Sequence, residues 1–532
     1  VLLESISMQL QWLVMLSWFI AATEAYKILV YSPKIGHSQL NFLGKIADIL
    51  VDAGHDVTTI IPIVDPSLND GTKKSKIIYV YPHETVRAQF EGEKFNLSYF
   101  EFAEFNPIVS FIVGPILAKP FFLTCEKVVN EHGLIESLRD EHFDVMITEN
   151  FDLCGMGISH AVAPKSIIGL SSAFVNGFQF AEFGVPEANS YVPAKGTASL
   201  NVHSFSSRFF NSVDSFLEKV MFFPTRHWID GVLKKRFGSN YPSIAEQSAN
   251  VAYFMTNSEP LIDFAGPTTS RVIPIGGITA MEPKPLDEHW EEVLSRRDRT
   301  VLISFGTVAE SQIMPIAMKK SIAKTATRFP DTTFIWKYEV EDEFTREIAS
   351  KVPNLVLTKW IPQVDLLNHQ NVHLFVTHAG MGSTLEVAYR GIPGVFVPIF
   401  GDQLRNAGMM EHNGLGKVFP KSELVDDQKF TAVMREVLEN NKYRGNAKEV
   451  ARKLAAKPFS AKELLIKHVE FAAEFGPSPA LRPQSVDMNF IEYNNLDIIV
   501  VFSLCTALFI FVSIKAVREI IRRVLGKKNK LE

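Results

Sequence analysis

Apolar and polar positions along the chain fall into two series. In the first half, "KILVYS" (27–32), "DVTTII" (56–61), "KIIYVY" (76–81) and "DVMIT" (144–148) are short apolar runs rich in β-branched residues, the pattern of buried strands. Segments of helical period at 39–53 and 153–163 lie between or after them. Alternation of strand and helix predicts a parallel, doubly wound α/β sheet. Residues 182–250 are aromatic-rich and show no readable period. A break falls near 276–298, where "IGGITAMEPKPLDEHWEEVLSRR" joins a glycine pair and two prolines to a charged helix start. A second series follows: strand "VLISF" (301–305), a helix near 312–327, then strands "TFIWKY" (333–338), "NLVLTKW" (354–360), "HLFVT" (373–377) and "GVFVPI" (394–399). Two Rossmann-like halves of this kind take their ligand between them, at the carboxyl ends of the strands.

Both ends carry membrane signals. An apolar run from Leu13 to Ala22, followed by Thr23, Glu24 and Ala25, reads as a signal peptide over 1–25, although no Lys or Arg precedes it. Near the other end, Ile498–Ile514 is a 17-residue uncharged stretch, at the lower limit for a transmembrane helix. Residues 515–532 hold seven Lys/Arg and two Glu, so the positive-inside rule puts this basic tail in the cytosol and residues 26–496 in the lumen. The terminal "KNKLE" resembles a dilysine retrieval signal, which implies the endoplasmic reticulum membrane. The sequon "NLS" at Asn96 agrees with a lumenal, glycosylated domain. Three prolines mark residues 476–497 as a linker.

The 532 residues suggest two or three domains, and a net charge of −5 removes the global basic field that nucleic acid recruits. With three cysteines, Cys125, Cys154 and Cys505, neither a disulfide framework nor a thiolate zinc cluster is available. Cys125 and Cys154 either pair, in an oxidising compartment, or stand as two free buried thiols.

Candidate chemistry gathers in the second half. "VLISFGTVAE" sets Gly306 and Thr307 after a strand and ahead of a helix, where backbone N–H groups can approach an anion. "LFVTHAGMGSTLEVAYRGIP" repeats the arrangement with His378, Gly380, Gly382, Ser383 and Thr384, and Glu386 lies one turn into the helix. There Glu386 either accepts from a ribose diol or complements the helix dipole. Trp360 and Gln363 suit a base, by stacking and edge pairing, and Asp402 and Gln403 suit sugar hydroxyls. Neither a Walker A loop nor a G-x-G-x-x-G fingerprint accompanies these loops, which disfavours a nicotinamide oxidoreductase.

In order and length, Trp360 to Gln403 resembles the signature box of the UDP-glycosyltransferases: W-x-P-Q, H-x-G, an S-T-x-x-E-like segment, G-I-P, then P-x-x-x-D-Q. The likeness covers roughly residues 26–520 and is nearest to the animal membrane-bound group, including invertebrate glucosyl- and glucuronosyltransferases. It implies a GT-B fold: two Rossmann-like domains facing across a cleft, an acceptor domain at 26–285 and a UDP-sugar domain at 286–475, plus a transmembrane helix at 498–514. Carried over by position, Trp360 and Gln363 would face uracil and Glu386 the ribose. His378, Gly380, Ser383, Thr384 and Thr307 would face the diphosphate, and Asp402 and Gln403 the sugar. Many relatives have Asn where this chain has Gly382. The family's catalytic base maps to His37 and its acidic partner to Glu149, where many vertebrate relatives have Asp; Asp144 and Asp152 are substitutes.

The resemblance therefore implies inverting transfer of glucuronate or glucose from a UDP-sugar to the hydroxyl of a small lipophilic acceptor, with no metal or other cofactor. A homo-oligomer is compatible with it. The alternative is a lumenal protein of the same fold that binds nucleotide sugar or lipophile without turnover. A uronate donor would need a cation, for which Arg271, Arg226 and Arg208 are candidates by domain alone. Phe100, Phe102 and Phe105 either line the acceptor pocket or belong to a core.

Overall fold

The structure, a computed structural model, describes residues 25–91, 99–101, 107–174, 182–280 and 282–528. Residues 1–24 of the expected leader, Asn96, Phe102, Phe105 and the last four residues of the tail lie outside the described residues.

Two parallel sheets organise the chain up to Leu481. The first holds β1 (Lys27–Tyr31), β2 (Asp56–Pro62), β3 (Lys76–Val80), β4 (Val145–Glu149), β5 (Ser166–Ser171), β6 (Tyr253–Thr256) and β7 (Val272–Pro274), in the order β3-β2-β1-β4-β5-β6-β7. The second holds β8 (Arg299–Ser304), β9 (Thr332–Lys337), β10 (Leu355–Thr358), β11 (Val372–Thr377), β12 (Gly394–Phe396) and β13 (Gly416–Val418), in the order β10-β9-β8-β11-β12-β13. β4 is buried throughout, and β1, β8 and β11 nearly so, as expected of strands covered on both faces. Each order reverses once, between β1 and β4 and between β8 and β11. Those reversals open the crevices in which doubly wound sheets bind ligands.

The long unparsed stretch contains one helix of 33 residues, Phe205–Phe237. It buries Asn211, Asp214, Ser215 and Glu218, while Phe205, Phe209, Phe210, Phe216 and Phe223 remain exposed. The buried polar side organises a loop: Asn211 donates to the carbonyls of Asn189 and Val192, and Asp214 accepts from the N–H of Gly196.

A clasp joins the halves. Arg405, buried on the helix Gln403–His412, pairs with Asp263 at 2.8 Å and donates to the carbonyl of Pro193 at 3.1 Å. Its guanidinium lies 3.9 Å from the ring centre of Phe174 and 5.2 Å from that of Phe264. Three residues along, a Cβ on Gly408 would fall 1.8 Å from the carbonyl oxygen of Ala198, so the chain crosses here only because position 408 has no side chain. The Tyr389 hydroxyl lies 3.1 Å from both Glu259 and the carbonyl of Gly276, which share its one proton, while Lys457 pairs with Glu259 at 2.6 Å.

Chain order and packing differ at two points. The helix Ala461–Phe475, within the segment 286–475, buries Ala461, Leu465, Val469, Ala472 and Ala473 against Ile28, Val30 and Val145 of the first sheet. Conversely, Phe100 belongs to the core of the second half, edge-on to Phe305 at 5.6 Å.

Residues from Arg482 onward form a separate unit. In it, Leu496–Lys528 is one continuous helix, which over Leu496–Arg523 is exposed and is long and apolar enough to cross a membrane. This extends the 17-residue run expected from the sequence.

Cys125 and Cys154 are disulfide-bonded, which resolves the sequence alternatives in favour of pairing. The bond ties the helix Pro107–Asn130 to Cys154–Val162, next to Glu149 and Asp152. For a sequence separation of 29, chain entropy predicts a stabilisation of roughly 3–4 kcal/mol. Cys125→Ser should lower Tm, and reductant should bring the wild type to the same value. Melting curves that ignore reductant would show that the bond does not support the fold.

Candidate active site

Loops after β8 and β11 meet at the switch point of the second sheet. β11 ends at Thr377, and the helix Met381–Arg390 starts three residues after His378. Between them Ala379 takes a left-handed backbone, φ 62°, costly for a residue with a Cβ. Asn406 holds it there, donating to the carbonyl of Ala379 at 3.1 Å and to Asp402 at 2.7 Å. The His378 ring fills the space between two glycines: a Cβ on Gly306 would come within 2.8 Å of it, and one on Gly380 within 2.6 Å. The open N-terminus of the helix Met381–Arg390 suits an anion.

The expected partners separate here. Thr384 is buried and donates back to the carbonyl of Gly380 at 3.0 Å, so its hydroxyl serves the helix. Ser383 stays partly open and accepts from Gln363 at 3.1 Å. Thr307 is exposed after the Gly306 turn, but no helix starts there; the chain makes a 3-10 turn at Ser311–Ile313 and a helix only at Ile316–Thr327. The helix-dipole argument therefore applies to the second loop and not to the first.

Gln363 and Glu386, expected at the base and at the ribose, are hydrogen-bonded to each other. The Gln363 amide donates to Glu386 at 2.5 Å as well as to Ser383, while Trp360 is 59% exposed and free to stack. Asp402 stands ahead of the helix Gln403–His412 and accepts from Asn406. Gln403 is buried, and its side-chain oxygen accepts from the N–H groups of Ile399 and Phe400 at 2.8 and 3.0 Å. Two donors fix the orientation of that amide, leaving Gln403 able to donate to a ligand but not to accept from it.

On the first sheet, His37 opens the helix His37–Asp52, with its ring edge-on to Trp360 at 5.7 Å. Its Nδ1 lies 3.0 Å from the side-chain amide of Asn41, one turn along. Glu149 is buried at the end of β4 and accepts from the N–H of Ser172 at 3.1 Å. No hydrogen bond links it to His37. Asp152 receives the N–H of Cys154, and Asp144 receives that of Lys27 at the opposite end of the strands. Arg271 lies in the first core against the carbonyls of Ala249 and Val251, Arg226 pairs with Glu182, and Arg208 donates to Val202.

Burial sets the charge state of these groups. It pushes His378 down to about 4, with the nearby Lys337 charge adding to the effect, so the ring is neutral at pH 7. Burial and Lys337 also lower His37. Glu386 is pushed up to about 7 by burial. Glu149 is pushed up to about 8 by burial and by Asp152, and burial pushes Asp152 itself up to about 7. Sequence reading missed Lys337, Asn41 and Asn406; Asn41 sits one helical turn from His37 and Asn406 one turn from Asp402, while Lys337 reaches Gly306 only through the pairing of neighbouring strands.

This architecture is that of GT-B sugar transferases. Similar solved structures include the glycotransferase of kitacinnamycin (TM-score 0.58, 13% identity, 85% of this chain and 99% of that one). A UDP-glucosyltransferase from Polygonum tinctorium, described as capable of glucosylating indoxyl, aligns with TM-score 0.58 and 14% identity over 85% of this chain and all of that one. Residues 26–531 match the family described as "UDP-glucoronosyl and UDP-glucosyl transferase", and the chain belongs to that family. It is 29% identical over 492 residues to the putative UDP-glucuronosyltransferase ugt-50 of Caenorhabditis elegans, covering 90% of this chain and 92% of that protein. Against human UDP-glucuronosyltransferase 1A6 the identity is 24% over 512 residues, 95% and 93% of the two chains. The protein is a UDP-glycosyltransferase.

The three raised carboxyls make a pH prediction. Each binds its proton more tightly folded than unfolded, so its contribution to stability is complete below pH 4 and is lost as pH rises through 7 to 8. Ligand-free protein should lose denaturant stability across that window, and Glu149→Gln should flatten the slope. A slope unchanged by that substitution would show Glu149 ionised in the folded state at neutral pH.

Proposed function

We propose that the cleft performs a single, inverting displacement on a UDP-hexose, with His37 as the base for the acceptor hydroxyl. The observation that carries this reading is the contact between His37 and Trp360, which sets the histidine of the first half against the indole of the second. Trp360 stacks on uracil, Gln363 reads its edge, and Glu386 accepts from the ribose. His378 donates to the diphosphate beside Ser383 and the N-terminus of Met381–Arg390, whose dipole stabilises the departing charge. Asp402 accepts from sugar hydroxyls and Gln403 donates to them.

The Asn41 amide nitrogen lies 3.0 Å from Nδ1; for Nε2 to take the proton, Nδ1 must carry the other, so the Asn41 amide turns over in the reacting complex and its carbonyl oxygen accepts from Nδ1. Asn41 thus orients the ring, the task the family pattern gives to Glu149. Glu149 enters through charge: an imidazolium on His37 favours its ionisation at the neighbouring strand end. Acceptors are small and lipophilic, as the family implies. The Cys125–Cys154 bond fits an oxidising lumen, and the span Leu496–Arg523 fits one membrane anchor with a cytosolic tail. Together they support an orientation across the endoplasmic reticulum membrane with both sheets lumenal.

His37→Ala should lower kcat with a phenolic acceptor by about 100- to 10,000-fold and leave UDP affinity within twofold. Undiminished turnover, with a phenol un-ionised at the assay pH, would remove His37 from the reaction.

The donor sugar is read at Asp402. A carboxylate there favours neutral hydroxyls and repels a uronate, so Asp402→Asn should reduce kcat/KM for UDP-glucose more than for UDP-glucuronate. Equal losses would mean that Asp402 does not sense the sugar's charge.

A further inference from the structure

We propose that Lys337 is the cation that receives the donor's diphosphate. This rests on the donor-site reading above and adds to it a residue outside the signature box. Lys337 ends β9, and only 6% of its surface is exposed. Its ammonium donates to the carbonyl of Gly306 at 2.7 Å and to Glu339 at 3.1 Å, and lies 6.0 Å from the ring centre of Trp360. Gly306 in turn backs directly onto the His378 ring. The ammonium therefore borders both turns at the β8/β11 switch point and the indole beyond them.

A diphosphate brings two negative charges to this place, and the groups already there supply little to meet them. His378 is neutral, and a helix N-terminus offers about half a charge. Other buried cations of this half are committed elsewhere: Arg405 to Asp263, Lys319 to Tyr338 and Gln312, Lys421 to the carbonyls of Tyr99 and Ile399. Lys337 has one carboxylate partner, Glu339, which also accepts from the N–H of Gln312. Its charge reaches both histidines, depressing His37 and His378 alike. A phosphate oxygen displacing the Gly306 carbonyl from the ammonium would exchange a neutral acceptor for an ionised one, and charge-assisted bonds are about twice as strong.

Calorimetry with UDP and with uridine, on full-length protein, tests the assignment. Lys337→Met should weaken UDP by about 10- to 100-fold and leave uridine unchanged. Lys337→Arg should restore most of the loss. Glu339→Gln, which removes the competing anion, should hold or tighten UDP. Equal losses for UDP and uridine would mark Lys337 as a strut for the Gly306 turn and overturn the proposal; so would UDP affinity untouched by Lys337→Met. Should that variant not fold, weaker UDP binding in Glu339→Gln with uridine unchanged would overturn it instead. If the uronate carboxylate is the true partner, Lys337→Met will weaken UDP-glucuronate and spare UDP, which also contradicts the assignment. Wild-type protein that binds no UDP would overturn the donor-site reading itself, an outcome distinct from all of these.

Discussion

The interaction on which the arrangement of the two sheets most depends is the buried contact of Arg405 with Asp263 and Pro193. Two parallel sheets can present their carboxyl edges to a common ligand only if the halves are held face to face, and Arg405 reaches across to hold them. Burying a guanidinium is costly unless every face is satisfied. Here Asp263 and the Pro193 carbonyl take two of its nitrogens and the rings of Phe174 and Phe264 pack against it, while Nη1 has no hydrogen-bond partner among the described residues. Its helix also carries Asn406, which restrains the left-handed Ala379 and anchors Asp402. The clasp between halves and the shape of the anion loop are therefore consequences of one helix being fixed in place.

Electrostatics inside the cleft follow from dryness. Burial keeps His378 neutral and pushes Glu386 up to about 7 and Glu149 up to about 8, so both acids hold their protons far more tightly than free carboxyls do. The cost is borne by the empty protein, whose buried carboxyls are unfavourable once ionised. Such strain is common where binding groups are pre-organised.

The sheets were legible because their strands are continuous apolar runs, and the donor loops because glycine, histidine and hydroxyl residues cluster at fixed spacing. Phe205–Phe237 was not legible, because its first half inverts the usual rule: Asn211 and Asp214 face inward to hold the loop 189–196, while Phe205, Phe209, Phe210 and Phe216 face outward. Within the site, spacing located Gln363, Ser383, Glu386 and His378 but could not reveal that Thr384 turns back on its own helix. Nor could it show that the Gln403 carbonyl is spent on a turn. Asn41 beside His37 depends on one helical turn, and Lys337 beside Gly306 on two neighbouring strands; neither leaves a motif.

In the proposed reaction both halves contribute to one displacement, with the base on one side of the anomeric carbon and the leaving diphosphate on the other. Stereochemistry reports that arrangement directly. Proton NMR of the conjugate formed from an α-configured UDP-sugar, taken before any anomeric equilibration, should show the β-linked product. An α-linked product would require two successive displacements or a front-face departure, and would contradict the placement of His37 opposite the diphosphate loop.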